Sequence, residues 1–217
     1  MTGATPILFL PGWATDTRLF TLYGAPRAFA PFSPASPDFA KTLADALRRE
    51  GVPRATIAGW SLGAAAAVGF ARAYPEFVER LILFGLRPRY PHAALDAARQ
   101  GIVGNRRTFL AGFYRECFLP GQTADYRVFK EHLLETYLEE MDEHGLLAGL
   151  DYLASVDISA ADLQICPTTI VHGACDIVAP IDEVTMLAHD AAIPVTVLPG
   201  AAHAAFATAA GRIYWER

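Results

Sequence analysis

A chain of 217 residues, 53% hydrophobic and 19% charged, is long enough to bury a sizeable core and too apolar to be disordered. A formal charge of −5 leaves the whole molecule without the basic footprint of a nucleic-acid binder. Cys117, Cys166 and Cys175 are odd in number and far apart with no C-x-x-C spacing, which excludes a disulfide framework and a cysteine metal site and favours reduced thiols. The start of the chain carries no basic n-region, and no apolar run reaches the roughly 18 residues of a membrane span, so a cytoplasmic protein is expected.

Taken in order, Ile7–Leu10 reads as a buried strand ending at Pro11-Gly12, and 29–32 as a short second strand hemmed by four prolines. Asp38 is placed to cap a helix whose apolar face is Phe39, Leu43, Ala46 and Leu47, with Gly51 as its stop. Ala55–Ala58 is the next strand and Leu62–Tyr74 the helix after it, closed by Pro75. Leu81–Phe84, Thr168–Val171 and Val195–Leu198 complete the strands. Apolar runs without alternation, spaced by helices, predict an α/β fold: a mostly parallel sheet covered on both faces.

Between about residues 87 and 161 the rhythm changes to helical periodicity alone. Phe109, Phe113 and Cys117 share one stripe; Phe129, Leu133, Leu134, Tyr137, Leu138 and Met141 share another. An insertion here would sit over the carboxyl ends of the strands, where open α/β sheets bind ligands. It is read as a cap within one domain spanning 1–217.

The chemistry starts at 59–63, G-W-S-L-G, a G-x-S-x-G pattern set between a strand and a helix. In that context the turn lifts a serine hydroxyl out of the backbone, and Gly59 and Gly63 are needed because side chains there would collide with neighbours. Ser61 is therefore the candidate nucleophile rather than a turn serine capping the next helix. A serine hydroxyl needs a base, and the base an orienting carboxylate. Asp176 and His203 follow in that order, each just beyond a strand on the same edge of the sheet. Asp182 competes with Asp176 but is better placed to cap a helix; of the other histidines, His172 reads as structural, His92, His132 and His144 fall in the cap, and His189 on a helix surface. For the oxyanion, the backbone N–H of Leu62 supplies one donor, and that of Trp13, on the loop after the first strand, the other.

On these residues the chain resembles the α/β-hydrolase superfamily over most of its length. Gly12-Trp13, the elbow at 59–63, G-L-D-Y-L-A-S-V-D at 149–157 and G-A-A-H-A-A-F at 200–206 are most similar to the pimeloyl-ACP methyl ester esterases of biotin synthesis. The resemblance implies a Ser61–Asp176–His203 triad, an oxyanion hole at Trp13 and Leu62, no metal or cofactor, and an acyl-carrier-protein-linked ester as substrate. It also departs from the family pattern. Pro11 stands where an imidazole usually braces the oxyanion loop, two N-terminal strands are absent, the D-x-x-G-x-G-x-S loop is missing, and little chain follows His203. A trimmed hydrolase with a more open active-site wall is the expectation.

Trp13 and Trp60, with Phe109 and Phe113, are either core aromatics or walls of the substrate pocket. Residues 87–115 hold six arginines against Asp96 alone, a local formal charge of +5, while 131–143 hold six acids. Two helices with complementary charged faces would explain this. So would docking of an acidic carrier protein and its phosphate by Arg99, Arg106, Arg107 or Arg115. The leading expectation is a serine carboxylesterase acting on the methyl ester of pimeloyl-ACP. The rivals are a general esterase, thioesterase or C–C bond hydrolase with the same triad, and a non-catalytic binding protein of the same fold.

Overall fold

Five strands pair in parallel, in chain order: β1 (Ile7–Leu10), β2 (Ala55–Trp60), β3 (Val78–Phe84), β4 (Thr168–Gly173) and β5 (Val195–Leu198). The computed structural model describes residues 5–25 and 35–215, so the expected strand at 29–32 lies outside the described residues. β2, β3 and β4 run longer than their apolar runs suggest. β3 opens with exposed Glu79 and Arg80, and β2 and β4 carry Gly59 and His172 at their functional ends. Their register brings the carboxyl ends level, with Leu10 opposite Gly59, Trp60 opposite Phe84 and Gly173 opposite Leu198.

Alternate strand residues feed two cores, as a pleat covered on both sides requires. Leu8, Leu10, Ile57, Leu81, Leu83 and Ile170 face one; Phe9, Ala58, Trp60, Ile82, Phe84 and Val171 face the other. The helices ahead of the third strand are α1 (Arg18–Leu22), α2 (Phe39–Arg49) and α3 (Leu62–Ala73). Then come α4 (His92–Phe118), α5 (Thr123–Phe129), α6 (Glu135–Glu140), α7 (Glu143–Ala154) and α8 (Ala160–Leu163), and last α9 (Ile181–Asp190) and α10 (Ala209–Arg212). Strands added always on the same side put right-handed crossovers on one face, and α2, α3, α8 and α9 do share the first core. The opposite face is covered by the other connections: by Phe20 of α1, by the segment between β3 and β4, and by Phe206 and Trp215 after β5, whose rings meet Phe9 and Phe84.

Local signals act as expected in part. Gly51 (φ 65°) ends α2 in a Schellman arrangement, its N–H on Arg48 O and that of Val52 on Leu47 O. Asp38 occupies the N-cap position of α2, but its side chain makes no capping bond. Between 92 and 163 the regular structure is all helical, as its periodicity predicts, with breaks at 119–122, 141–142 and 155–159. α4 breaks at Asn105, whose backbone leaves helical values and whose side chain accepts the Thr108 N–H at 2.9 Å, capping the second half. A π-helical turn at 130–134 joins α5 to α6.

Candidate active site

Ser61 sits between β2 and α3 with φ 55° and ψ −117°, values a non-glycine residue rarely adopts. Such strain costs on the order of 1–3 kcal/mol and persists only when the surroundings impose it. Here its N–H is tied to Phe84 O at 2.9 Å, and its carbonyl takes the N–H groups of Ala64 and Ala65. The flanking glycines are forced: a Cβ at Gly59 would lie 2.3 Å from Gly63 O, and one at Gly63 would lie 2.1 Å from Leu10 O. The elbow is thus wedged between the ends of β1 and β3.

Asp176 lies in the turn after β4 with a fully buried side chain. Its Oδ2 accepts from His203 Nδ1 at 2.8 Å, and its Oδ1 takes the N–H groups of Val178 and Ala179 at 2.9 and 2.8 Å. Burial works to raise its pKa, but the His203 and His172 rings and these donors outweigh it, so the carboxyl is held below its ordinary range. With Nδ1 engaged by the carboxylate, the outer nitrogen Nε2 of His203 is buried and has no hydrogen-bond partner among the described residues.

The His203 loop is held from several sides. Trp60 Nε1 donates to the His203 carbonyl at 2.9 Å, and the two rings lie 5.4 Å apart. Gly85 (φ 55°) makes room for the imidazole, since a Cβ there would stand 2.9 Å from it. Gln122, just past α4, takes the Ala202 N–H at 2.8 Å and donates to Ala204 O at 2.9 Å, clasping the loop on both sides of His203. Sequence reasoning missed Gln122, because nothing local marks a partner 80 residues away. It also undervalued His172. That buried ring donates through Nε2 to Ala179 O at 2.8 Å and stands 3.3 Å from Asp176 Oδ2, so it belongs to the carboxylate's surroundings. Asp182 lies in the first turn of α9.

The Trp13 and Leu62 amide N–H groups donate to no acceptor among the described residues. Leu62 opens α3, where the first amides have no partner within the helix. In place of the imidazole that Pro11 displaces, three side chains hold the loop. Thr15 Oγ1 donates to Gly12 O at 2.9 Å, Tyr114 Oη to Ala14 O at 2.6 Å, and Trp13 Nε1 to Leu146 O at 2.9 Å. The Trp13 indole packs edge-on to Phe113 and Phe109 at 4.9 and 6.3 Å and lies against Gly149, which also neighbours the Leu62 side chain. Three of the four aromatics expected at the pocket, Trp13, Phe109 and Phe113, thus meet around the Trp13 ring. Trp60, 1% exposed, lies in the core against the His203 ring.

The arginines between β3 and α5 are largely engaged within the chain. Arg99 pairs with Asp151 at 2.7 Å and Arg107 with Glu135. Arg106 donates to the Met141 and Leu138 carbonyls at the C-terminal end of α6. Arg115 pairs with no carboxylate among the described residues and lines an open groove with Glu116, Leu119 and Ile177. Among the described residues no three His, Cys, Asp or Glu side chains converge to hold a metal ion, and no helix is long and apolar enough to cross a membrane.

No protein-family model matches the chain. A pimeloyl-[acyl-carrier protein] methyl ester esterase from Aromatoleum aromaticum is 30% identical over 173 residues, covering 72% of this chain and 69% of that protein. Among solved structures, a bromoperoxidase from Bacillus anthracis superposes with a TM-score of 0.78 at 21% identity, over 97% of this chain and 90% of its own. An esterase from Exiguobacterium antarcticum does so with 0.75 at 17% identity, over 99% and 90%. With its parallel sheet, its elbow and this relative, the chain is a hydrolase of the α/β-hydrolase superfamily and belongs to the family of the pimeloyl-[acyl-carrier protein] methyl ester esterases.

Proposed function

We propose that the protein is a serine carboxylesterase in which Ser61 is the nucleophile, His203 the general base and Asp176 its orienting carboxylate. One observation carries this reading: a buried Asp176–His203 pair at 2.8 Å whose outer nitrogen is unpartnered, on the same sheet edge as a strained serine. In the acylation step His203 Nε2 takes the Ser61 proton as Oγ attacks the ester carbonyl. The Trp13 and Leu62 N–H groups receive the oxyanion. Collapse breaks the bond to the alkoxy oxygen, which leaves as alcohol with the proton from His203. Water then attacks the acyl-enzyme by the same steps and frees the acid.

The relative's substrate supports the methyl ester of a carrier-linked pimeloyl group, handled in the cytoplasm, as the physiological one. The Trp13, Phe109 and Phe113 rings would contact the acyl chain, and Arg115 suits an acidic carrier. A general small-molecule esterase is the second reading, favoured by the internal engagement of Arg99, Arg106 and Arg107. Ser61→Ala is expected to abolish ester hydrolysis with an unchanged circular dichroism spectrum; turnover retained in that folded variant would sink the mechanism. Rescue of biotin growth in a strain lacking its pimeloyl esterase separates the two substrate readings. Failure to rescue by a protein that cleaves short p-nitrophenyl esters selects the general esterase.

A further inference from the structure

Tyr90 stands on the segment between β3 and α4, six residues beyond the Phe84 carbonyl that holds the Ser61 amide. Its hydroxyl is buried and has no hydrogen-bond partner among the described residues. The polar groups near enough to bear on the phenol's acidity are the Ser61 side chain, Arg87, Asp176 and Tyr152, and none of them meets it in hydrogen-bond geometry. The Arg87 guanidinium lies 5.7 Å from the Tyr90 ring centroid and is itself forked onto Glu183 by bonds of 2.8 and 2.6 Å. Pro91 follows directly, and Pro88 O accepts the Ile158 N–H at 3.1 Å, fixing the segment at both ends.

A buried hydroxyl without a partner is costly, and one beside the proposed nucleophile points to a partner that arrives with the substrate. Burial raises the phenol's pKa, so near neutral pH it keeps its proton and acts as a donor. Of the ester's two oxygens, the carbonyl oxygen is directed to the Trp13 and Leu62 amides. The alkoxy oxygen has no donor in the bound ester until His203 has taken the Ser61 proton. We propose that the Tyr90 hydroxyl donates a hydrogen bond to the alkoxy oxygen of the bound ester, making it a catalytic residue that favours oxygen esters over thioesters. The inference rests on Ser61 being the nucleophile. As the carbon–oxygen bond breaks, negative charge grows on that oxygen, and Tyr90 shares it until His203 delivers its proton. Tyr90 keeps its own. A thioester places a sulfur there, a weak acceptor that gains little from the contact.

Tyr90→Phe removes only the hydroxyl. With a methyl ester, kcat/KM is expected to fall roughly 10- to 100-fold, the range of a hydrogen bond to a charged oxygen. With the p-nitrophenyl ester and the thioester of the same acid, whose leaving groups need little such help, the change should stay within about threefold. The melting temperature should hold or rise, because an unpartnered buried group has gone. Unchanged methyl-ester turnover, or equal losses on all three substrates, overturns the assignment. Wild-type p-nitrophenyl ester turnover that survives Ser61→Ala, or is absent altogether, would instead count against the nucleophile itself.

Discussion

At Gly63 the fold and the chemistry meet in one missing atom. A Cβ there would lie 2.1 Å from Leu10 O and 2.6 Å from Pro11 O, both backbone and unable to yield. Gly63→Ala should therefore cost about 3 kcal/mol, at the upper end of overpacking. In a chain this long that lowers the melting temperature by roughly 6–12 °C; a melt unchanged within about 1 °C would show that the elbow is looser than its contacts require. His172 carries a second residue-scale consequence. Burial holds its pKa below the ordinary value, against the opposite pull of Asp176 and the Ala179 carbonyl, and His203 adds to the depression. As pH falls below about 6.5 the unfolded chain takes that proton first, so stability drops on acidification. The depressed Asp176 carboxyl contributes in a lower window, losing its stabilisation only as pH passes down through its folded value. Between pH 7 and 5 the loss is thus assigned to His172. His172→Gln keeps a donor for Ala179 O but cannot titrate. Its melting temperature should fall less steeply over that interval than the wild type's, and parallel slopes would refute the assignment.

Elements divide by how local their causes are. The strands were legible because each is a short apolar run bounded by proline, glycine or charge, and α3 because an apolar stretch follows the elbow and Pro75 closes it. Ser61, Asp176 and His203 were legible for the same reason: each lies at the end of a readable strand. Gln122, His172 and Tyr90 were not. Their meaning comes from partners that only the sheet brings near, and a glutamine after a helix or a tyrosine before one has no pattern of its own. Gln122 shows what that costs a sequence reading. It ties the segment after α4 to the loop after β5, helped by the Ala204 N–H on Cys117 O at 2.7 Å. Gln122→Leu leaves the Ala202 N–H and Ala204 O without these partners. A loss of about 2 kcal/mol or more is expected, with a fall in kcat at nearly constant KM because the proposed base and not the substrate is displaced. A fall confined to KM would place Gln122 in substrate binding instead.

Across the whole molecule, charge decides what the helical segment can recruit. The chain is acidic overall, so an acidic carrier meets net repulsion unless a local patch overcomes it. The +5 read from residues 87–115 is that patch in sequence, but folding spends most of it. Arg87, Arg89, Arg99 and Arg107 pair with Glu183, Asp157, Asp151 and Glu135, four acids from outside the segment, leaving an excess of about one. Linear charge counting could not see this, because the neutralising acids arrive from α6, α7, the segment after α7, and α9. Arg115 remains in an open groove beside Ile177, the residue after Asp176, and shares it with Glu116, so its long guanidinium is the cation to test for guiding a carrier toward the proposed site. Arg115→Glu should lower kcat/KM on a carrier-linked ester several-fold through slower association, while a free methyl ester is unaffected. Arg99→Glu and Arg107→Glu should instead act mainly on stability, each setting a like charge against Asp151 or Glu135, by up to about 1 kcal/mol at these partly exposed pairs. The comparison is best run at two salt concentrations, since a docking charge loses its effect as screening rises and a misfolded variant does not recover. Equal, salt-independent losses from all three would mean that the groove at Arg115 does not face the carrier, and that the chain selects its substrate by the acyl group alone.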